Sequence, residues 1–169
     1  MEARTLLPVE EYLRTSYSPD CDYVDGEVVE RNLGEWDHSS LQMRFLIYLG
    51  TRQKQWGIQV VPEQRVQVSA TRFRVPDVCV VIGGPDGQIL RKPPFLCIEI
   101  LSPEDRMGRV RERVDDYLIM GVPYVWVLDP RAKVAYAITP SEGWREVKDG
   151  VLRTQQPPLD VPLAEIFAA

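Results

Sequence analysis

The sequence predicts a mixed α/β domain: a central sheet flanked by helices, with an N-terminal hairpin before it and a C-terminal β-meander after it. Three observations carry this. The segments Arg74 to Ile82, Phe95 to Leu101 and Tyr124 to Leu128 are near-continuous apolar runs of strand length, as in sheets covered on both faces. Two longer segments, Asp37 to Gln55 and Ser102 to about Met120, are of helical length, and apolar residues recur along them at helical spacing. The two kinds of segment alternate along the chain, the order that lays helices on both faces of one sheet layer.

Taken in order, Pro8-Val9-Glu10-Glu11-Tyr12-Leu13 opens a short helix, since proline fits a first turn and acids there complement the helix dipole. It is expected to end near Ser16 to Pro19. Tyr23-Val24-Asp25-Gly26-Glu27-Val28-Val29 sets Asp-Gly between two β-prone pieces, a hairpin signal. In the helix from Asp37 to Gln55, interrupted only by Gly50, Leu41, Phe45, Tyr48 and Leu49 share one face, with Met43, Leu46, Ile47 and Gly50 on the other. A helix apolar on both sides is sandwiched in the fold or covered by a second subunit. Strands are then expected over Ile58 to Val68, Arg74 to Ile82 and Phe95 to Leu101, with a turn at Ser69-Ala70-Thr71 and a loop at Gly83-Gly84-Pro85-Asp86-Gly87. The next helix ends at Gly121 and feeds Tyr124 to Leu128, closed by Asp129-Pro130. Short strands at Lys133 to Ile138, Trp144 to Val147 and Val151 to Thr154 precede a last helix, Leu163 to Phe167.

At 169 residues and 44% hydrophobic the chain suits one core, hence one domain over 1–169. It has no run of about eighteen apolar residues, and acid stands near its start where a signal peptide needs an apolar stretch, so a cytoplasmic protein without membrane contact is expected. Cys21, Cys79 and Cys97 lack close pair spacing and read as small buried hydrophobes in a reducing compartment. A net charge of −5 argues against a nonspecific nucleic-acid coat but not against an enzyme that touches a few phosphates.

The chemistry points to two acids on core strands, Asp77 in Arg74-Val75-Pro76-Asp77-Val78 and Glu99 in Cys97-Ile98-Glu99-Ile100. An ionised carboxylate in an apolar strand costs several kcal/mol unless something compensates it, and a divalent cation would. Glu63, where a strand opens, adds a third carboxylate if its strand runs antiparallel to that of Asp77, although strand-end glutamates are commonly just exposed. Arg106, Arg109 and Arg113, at i, i+3 and i+7, flank the apolar stripe Val110, Val114, Tyr117 and Leu118 and could reach the strand ends to meet a phosphate. The same segment carries five acids, so a balanced solvated helix is the plainer reading. His38, the single histidine, stands in the first turn of the long helix on the Leu41/Phe45 face, as a core-edge residue or a ligand. There is no glycine-rich phosphate loop, paired-cysteine zinc spacing or Gly-x-Ser-x-Gly turn.

These residues, with Val9-Glu10-Glu11-Tyr12, Asp25-Gly26-Glu27-Val28-Val29, His38-Ser39, Pro62-Glu63-Gln64-Arg65-Val66, Glu99-Ile100-Leu101-Ser102-Pro103, Asp105-Arg106 and Gly121-Val122-Pro123-Tyr124-Val125-Trp126, make the chain resemble nearly end to end the Uma-type family of bacterial endonucleases, a branch of the PD-(D/E)xK restriction-nuclease superfamily. The resemblance implies a restriction-endonuclease-like core. It also implies Mg2+ or Mn2+ held by Asp77 and Glu99, assisted by Glu63 and the carbonyl of Ile100, with water attacking a DNA phosphodiester. One departure stands out. The superfamily's lysine would fall at Leu101, and in this branch it moves to the following helix, where this chain has Arg113. Arginine stays protonated, so it can steady a transition state but cannot act as a general base.

The leading expectation is a magnesium-dependent DNA endonuclease, a homodimer because a duplex has two strands and the long helix is apolar on both faces. A second is a nuclease-fold module that lost catalysis and binds nucleic acid or protein. A third takes both acids as merely ion-paired with Arg74, Arg106 or Arg113.

Overall fold

The computed structural model describes residues 5–32 and 34–167. The chain runs α1 (Val9–Arg14), β1 (Cys21–Val24), β2 (Glu27–Glu30), α2 (Trp36–Gly50), α3 (Gln53–Trp56), β3 (Ile58–Pro62), β4 (Val66–Ser69), β5 (Arg72–Arg74), β6 (Val78–Ile82), β7 (Leu96–Ile100), α4 (Met107–Met120), β8 (Tyr124–Asp129), β9 (Val134–Thr139), β10 (Gly143–Glu146), β11 (Val151–Arg153), β12 (Asp160–Pro162) and α5 (Leu163–Ile166).

The mixed α/β class stands, but the single sheet layer divides. Six strands form the main sheet in the order β10-β9-β8-β7-β6-β3, parallel only between β7 and β8, where α4 makes the crossover. A second sheet, β2-β1-β5-β4, carries the hairpin, and β11 pairs with β12 apart from both. Asp25 and Gly26 turn the hairpin at φ of 49° and 96°, the left-handed pair that a two-residue turn requires.

Three expected elements are broken, each for a local reason. Ile58 to Val68 is two strands in different sheets, because Glu63 takes a φ of 50° and turns the chain between β3 and β4. Arg74 to Ile82 is likewise split, since Pro76 brings no N–H to a ladder and the chain passes there from β5 to β6. The long helix stops at Gly50 and resumes as the single turn α3, whose Gln53 Oε1 accepts the Val60 N–H on the outer edge of β3 at 2.7 Å. The helix after Ser102 starts only at Met107 and ends as expected at Gly121, whose φ of 108° suits glycine.

Each face of the main sheet has its own core, set by strand alternation. Leu41, Phe45 and Leu49 of α2 pack on Val78, Val80, Leu96, Ile98, Trp126 and Leu128. Val110, Val114 and Tyr117 of α4 pack on Cys79, Cys97, Val125 and Val127. On the opposite side of α2, Trp36, Met43 and Ile47 are exposed, while Leu46 still packs against the core. The cysteines are buried and free. Among the described residues no helix is long and apolar enough to cross a membrane.

Candidate active site

Asp77 stands just before β6 and Glu99 inside β7. Val78 opposes Ile98 across these antiparallel strands, so continuing the register by one residue sets Asp77 opposite Glu99. Both are nearly inaccessible, at 2% and 3% exposure, on the α4 side of the sheet with Cys79 and Cys97.

Asp77 is held from three directions. Its Oδ2 accepts the Ile100 N–H at 2.7 Å, while its Oδ1 lies 2.5 Å from Nη2 of Arg31 and 3.2 Å from Nε2 of His38. Its main-chain carbonyl accepts from Gln42 Nε2 at 2.8 Å and from the Glu63 N–H at 3.3 Å. Glu99 is served from α4 alone. Tyr117 donates its hydroxyl to Oε1 at 2.6 Å, and Nε of Arg113 lies 3.4 Å from Oε2. That Nε is buried and makes no hydrogen bond, so Arg113 compensates Glu99 by charge rather than by a good contact, while its Nη2 reaches Asp105 Oδ1 at 3.3 Å.

The two carboxyls diverge accordingly. Burial alone would push Asp77 up, but the His38 hydrogen bond and the Arg31 charge outweigh it and hold the carboxyl below its usual range. Burial pushes Glu99 up to about 7, against the pull of Arg113 and with the added repulsion of Asp77. His38 is raised, burial being overcome by the hydrogen bond and charge of Asp77.

These groups floor a cleft of about 360 Å³ that Glu63, Arg106 and Arg109 also line. Glu63 is half exposed and approaches Asp77 through Arg31, whose Nη1 lies 3.9 Å from its Oε1. Arg106 and Arg109 are exposed at the rim. Among the described residues no cluster of three or more His, Cys, Asp or Glu side chains is arranged to hold a metal. The oxygens that could hold one are those of Asp77 and Glu99 and the Ile100 carbonyl, which in an extended strand projects to the same edge as its N–H. That set fits a magnesium-like ion, which commonly takes one or two carboxylates and completes its shell with water and substrate phosphate.

A second buried charge cluster abuts this floor. Arg74 binds Asp116 Oδ2 through Nε at 2.7 Å and Asp22 Oδ2 through Nη1 at 3.1 Å. Arg72 Nη1 takes Asp116 Oδ1 at 2.5 Å, and the Val75 N–H takes Asp22 Oδ1 at 3.1 Å. The expectation that Arg74 or Arg106 pairs with the two strand acids is thus corrected. Arg74 is consumed by Asp22 and Asp116, Asp77 is paired with Arg31, and among the described residues only Arg113 forms an ion pair with Glu99.

The structure brings Asp77, Glu99, Ile100, His38 and Arg113 together, sets Glu63 one contact away, and leaves Arg106 and Arg109 at the edge. Sequence reasoning missed Arg31, Gln42 and the role of Tyr117. Arg31 lies in an aperiodic stretch after the hairpin, where no pattern marks it. Tyr117 was legible only as core, although a buried tyrosine hydroxyl needs a partner.

A mixed sheet with Pro-Asp at the start of one strand and Glu inside the next, flanked by helices on both faces, defines a protein of the restriction-endonuclease-like class. The chain belongs to the Uma2 family, described as "Putative restriction endonuclease", whose model matches residues 9–166. Among solved structures it is similar to a "putative nuclease belonging to DUF820" from Anabaena variabilis ATCC 29413, with a TM-score of 0.80 at 19% identity, covering 94% of this chain and 96% of that one. At that identity the likeness bears on the fold. No curated protein matches the chain.

Proposed function

We propose that this protein is a divalent-metal-dependent endonuclease that hydrolyses DNA phosphodiester bonds. The observation that carries the reading is the cross-strand pair Asp77 and Glu99, buried at the floor of a cleft and unequally compensated. Asp77, Glu99 and the Ile100 carbonyl would hold Mg2+ or Mn2+, assisted by Glu63, which lines the same cleft. Bound there, the cation supplies Lewis-acid polarisation of the phosphate and a water of lowered pKa. Arg113, fixed between Glu99 and Asp105, adds permanent positive charge where the phosphorane builds up negative charge. Arg106 and Arg109 at the rim suit flanking phosphates of the same strand. His38 and the Ile100 N–H hold Asp77 at a fixed angle.

A cytoplasmic homodimer completes the reading. A duplex presents two strands, and Trp36, Met43 and Ile47 form an exposed apolar stripe on α2 that a second copy would cover. Size-exclusion chromatography with light scattering should give twice the mass of one chain, and Met43→Glu should halve it.

One observation favours a second reading, a catalytically silent DNA- or protein-binding module: arginine stands at the position of the helix lysine, and it is already committed to two acids. Incubation of supercoiled plasmid and single-stranded DNA with Mg2+, Mn2+ or EDTA separates the two. Nicking or linearisation only with metal supports the nuclease; an inert, folded protein in every condition overturns it in favour of the module.

A further inference from the structure

Arg31 has no place in the expected site, yet it makes the shortest contact to it. Its guanidinium lies between two acids of the proposed cation site, with Nη2 2.5 Å from Asp77 Oδ1 and Nη1 3.9 Å from Glu63 Oε1, and 17% of the side chain is exposed. His38 shares Asp77 Oδ1 with Arg31, its Nε2 lying at 3.2 Å. Arg31 cannot shed its charge, so it and a divalent ion exclude one another from the same carboxylate oxygen.

Resting on the nuclease reading, we propose that Arg31 and the divalent cation are alternative partners of Asp77, and that Arg31, released when the ion binds, becomes the residue that grips a substrate phosphate. Several features support the exchange. Arg31 lies outside every helix and strand, between β2 and α2. Asp77 keeps two donors without it, the Ile100 N–H and His38, so the carboxylate holds its orientation through the exchange. The freed guanidinium remains in the cleft, and its planar fork matches two phosphate oxygens. Metal and DNA would then bind cooperatively, because the ion releases the group that the DNA needs.

The test is calorimetric titration of Mn2+ into wild type, Arg31→Gln and Asp77→Asn without DNA, paired with fluorescence anisotropy of a DNA duplex in Ca2+. Arg31→Gln should bind Mn2+ about tenfold more tightly than wild type, a typical coupling between linked sites, and bind the duplex more weakly. Equal or weaker Mn2+ binding by Arg31→Gln overturns the exchange. If wild type binds Mn2+ and Asp77→Asn does not, that failure falls on the exchange alone. If wild type binds no Mn2+, the metal-dependent reading falls too. Should Arg31→Gln fail to fold, the wild type still decides: nitrogen-15 NMR should show the Arg31 Nε–H resonance shift and exchange faster on adding Mg2+, and an unmoved resonance contradicts the proposal.

Discussion

Two clusters of buried charge lie side by side in this protein, and they are built to different rules. Around Arg74, all four oxygens of Asp22 and Asp116 receive a hydrogen bond, from Arg72, Arg74 or the Val75 N–H, and the cluster ties β1, β5 and α4 together. Around Asp77 and Glu99 the compensation is lopsided. Asp77 Oδ1 has two partners, Arg31 and His38, whereas Glu99 has one hydrogen bond from Tyr117 and one poorly aimed guanidinium, and burial raises its carboxyl to about 7. In the first cluster every carboxylate oxygen has a protein donor, although Arg74 Nη2 is buried without a hydrogen bond and burial still raises the Asp22 carboxyl. We read the second, a pair of acids left unequal at the floor of a cleft, as suited to a group brought from outside.

The contrast breaks most visibly in variants. Asp77→Ala should lower DNA cleavage about a thousandfold, the loss of several kcal/mol of transition-state stabilisation, with the fold retained in circular dichroism. Arg74→Ala should do the reverse in kind. It leaves Asp22 buried without its ion-pair partner and Asp116 with Arg72 alone, and urea denaturation should show a loss of about 3–5 kcal/mol. A finding that Arg74→Ala is as stable as wild type would erase the distinction between the clusters.

Smaller effects sharpen it. Tyr117→Phe removes a hydrogen bond to a charged acceptor and should cost about 1.5–3 kcal/mol by the same denaturation measurement, most clearly above pH 7 where Glu99 is ionised. The Glu99 carboxyl is higher in the folded chain than in the unfolded one. Its contribution to stability is therefore fully present below the unfolded value, near 4.5, and is lost as pH rises through about 7. Without metal, unfolding free energy should decline across that window by at most about 1.4 kcal/mol per pH unit, and Glu99→Gln should flatten the decline. Asp77, held low, has the opposite sign: its contribution is present above the ordinary aspartate value and is lost as pH falls through its lowered one.

How much of this was legible in the sequence follows from what each feature obeys. The sheet strands and two main helices announced themselves because burial on defined faces imposes a period, and Asp77 and Glu99 stood out as acids inside apolar runs. The breaks did not. Glu63 at positive φ and the stop at Gly50 are single-residue backbone events that leave a helical or apolar pattern nearly intact, so Ile58 to Val68 read as one strand where two sheets meet. The second sheet escaped notice because β5 has three residues and one of its two partners, β1, is distant in sequence. The ion pairs were the least legible part. Arg31 to Asp77 spans 46 positions and Arg74 to Asp22 spans 52, and charge carries no period that would mark the partner. From the sequence Arg74, Arg106 and Arg113 were all candidates to pair with the two strand acids; the fold gives Arg74 to Asp22 and Asp116 instead.

The central claim is that Asp77 and Glu99 act on a substrate rather than on the fold, and near-isosteric amide variants test it most directly. Wild type, Asp77→Asn and Glu99→Gln would be compared in single-turnover cleavage of plasmid DNA with Mn2+, beside melting curves of the same samples. The account predicts that both variants stay folded at the assay temperature and lose cleavage, with Glu99→Gln melting at or above the wild-type temperature and Asp77→Asn, which takes the charge away from beside Arg31, melting below it. Variants that still cut, or that lose cleavage only because they no longer fold, would contradict it.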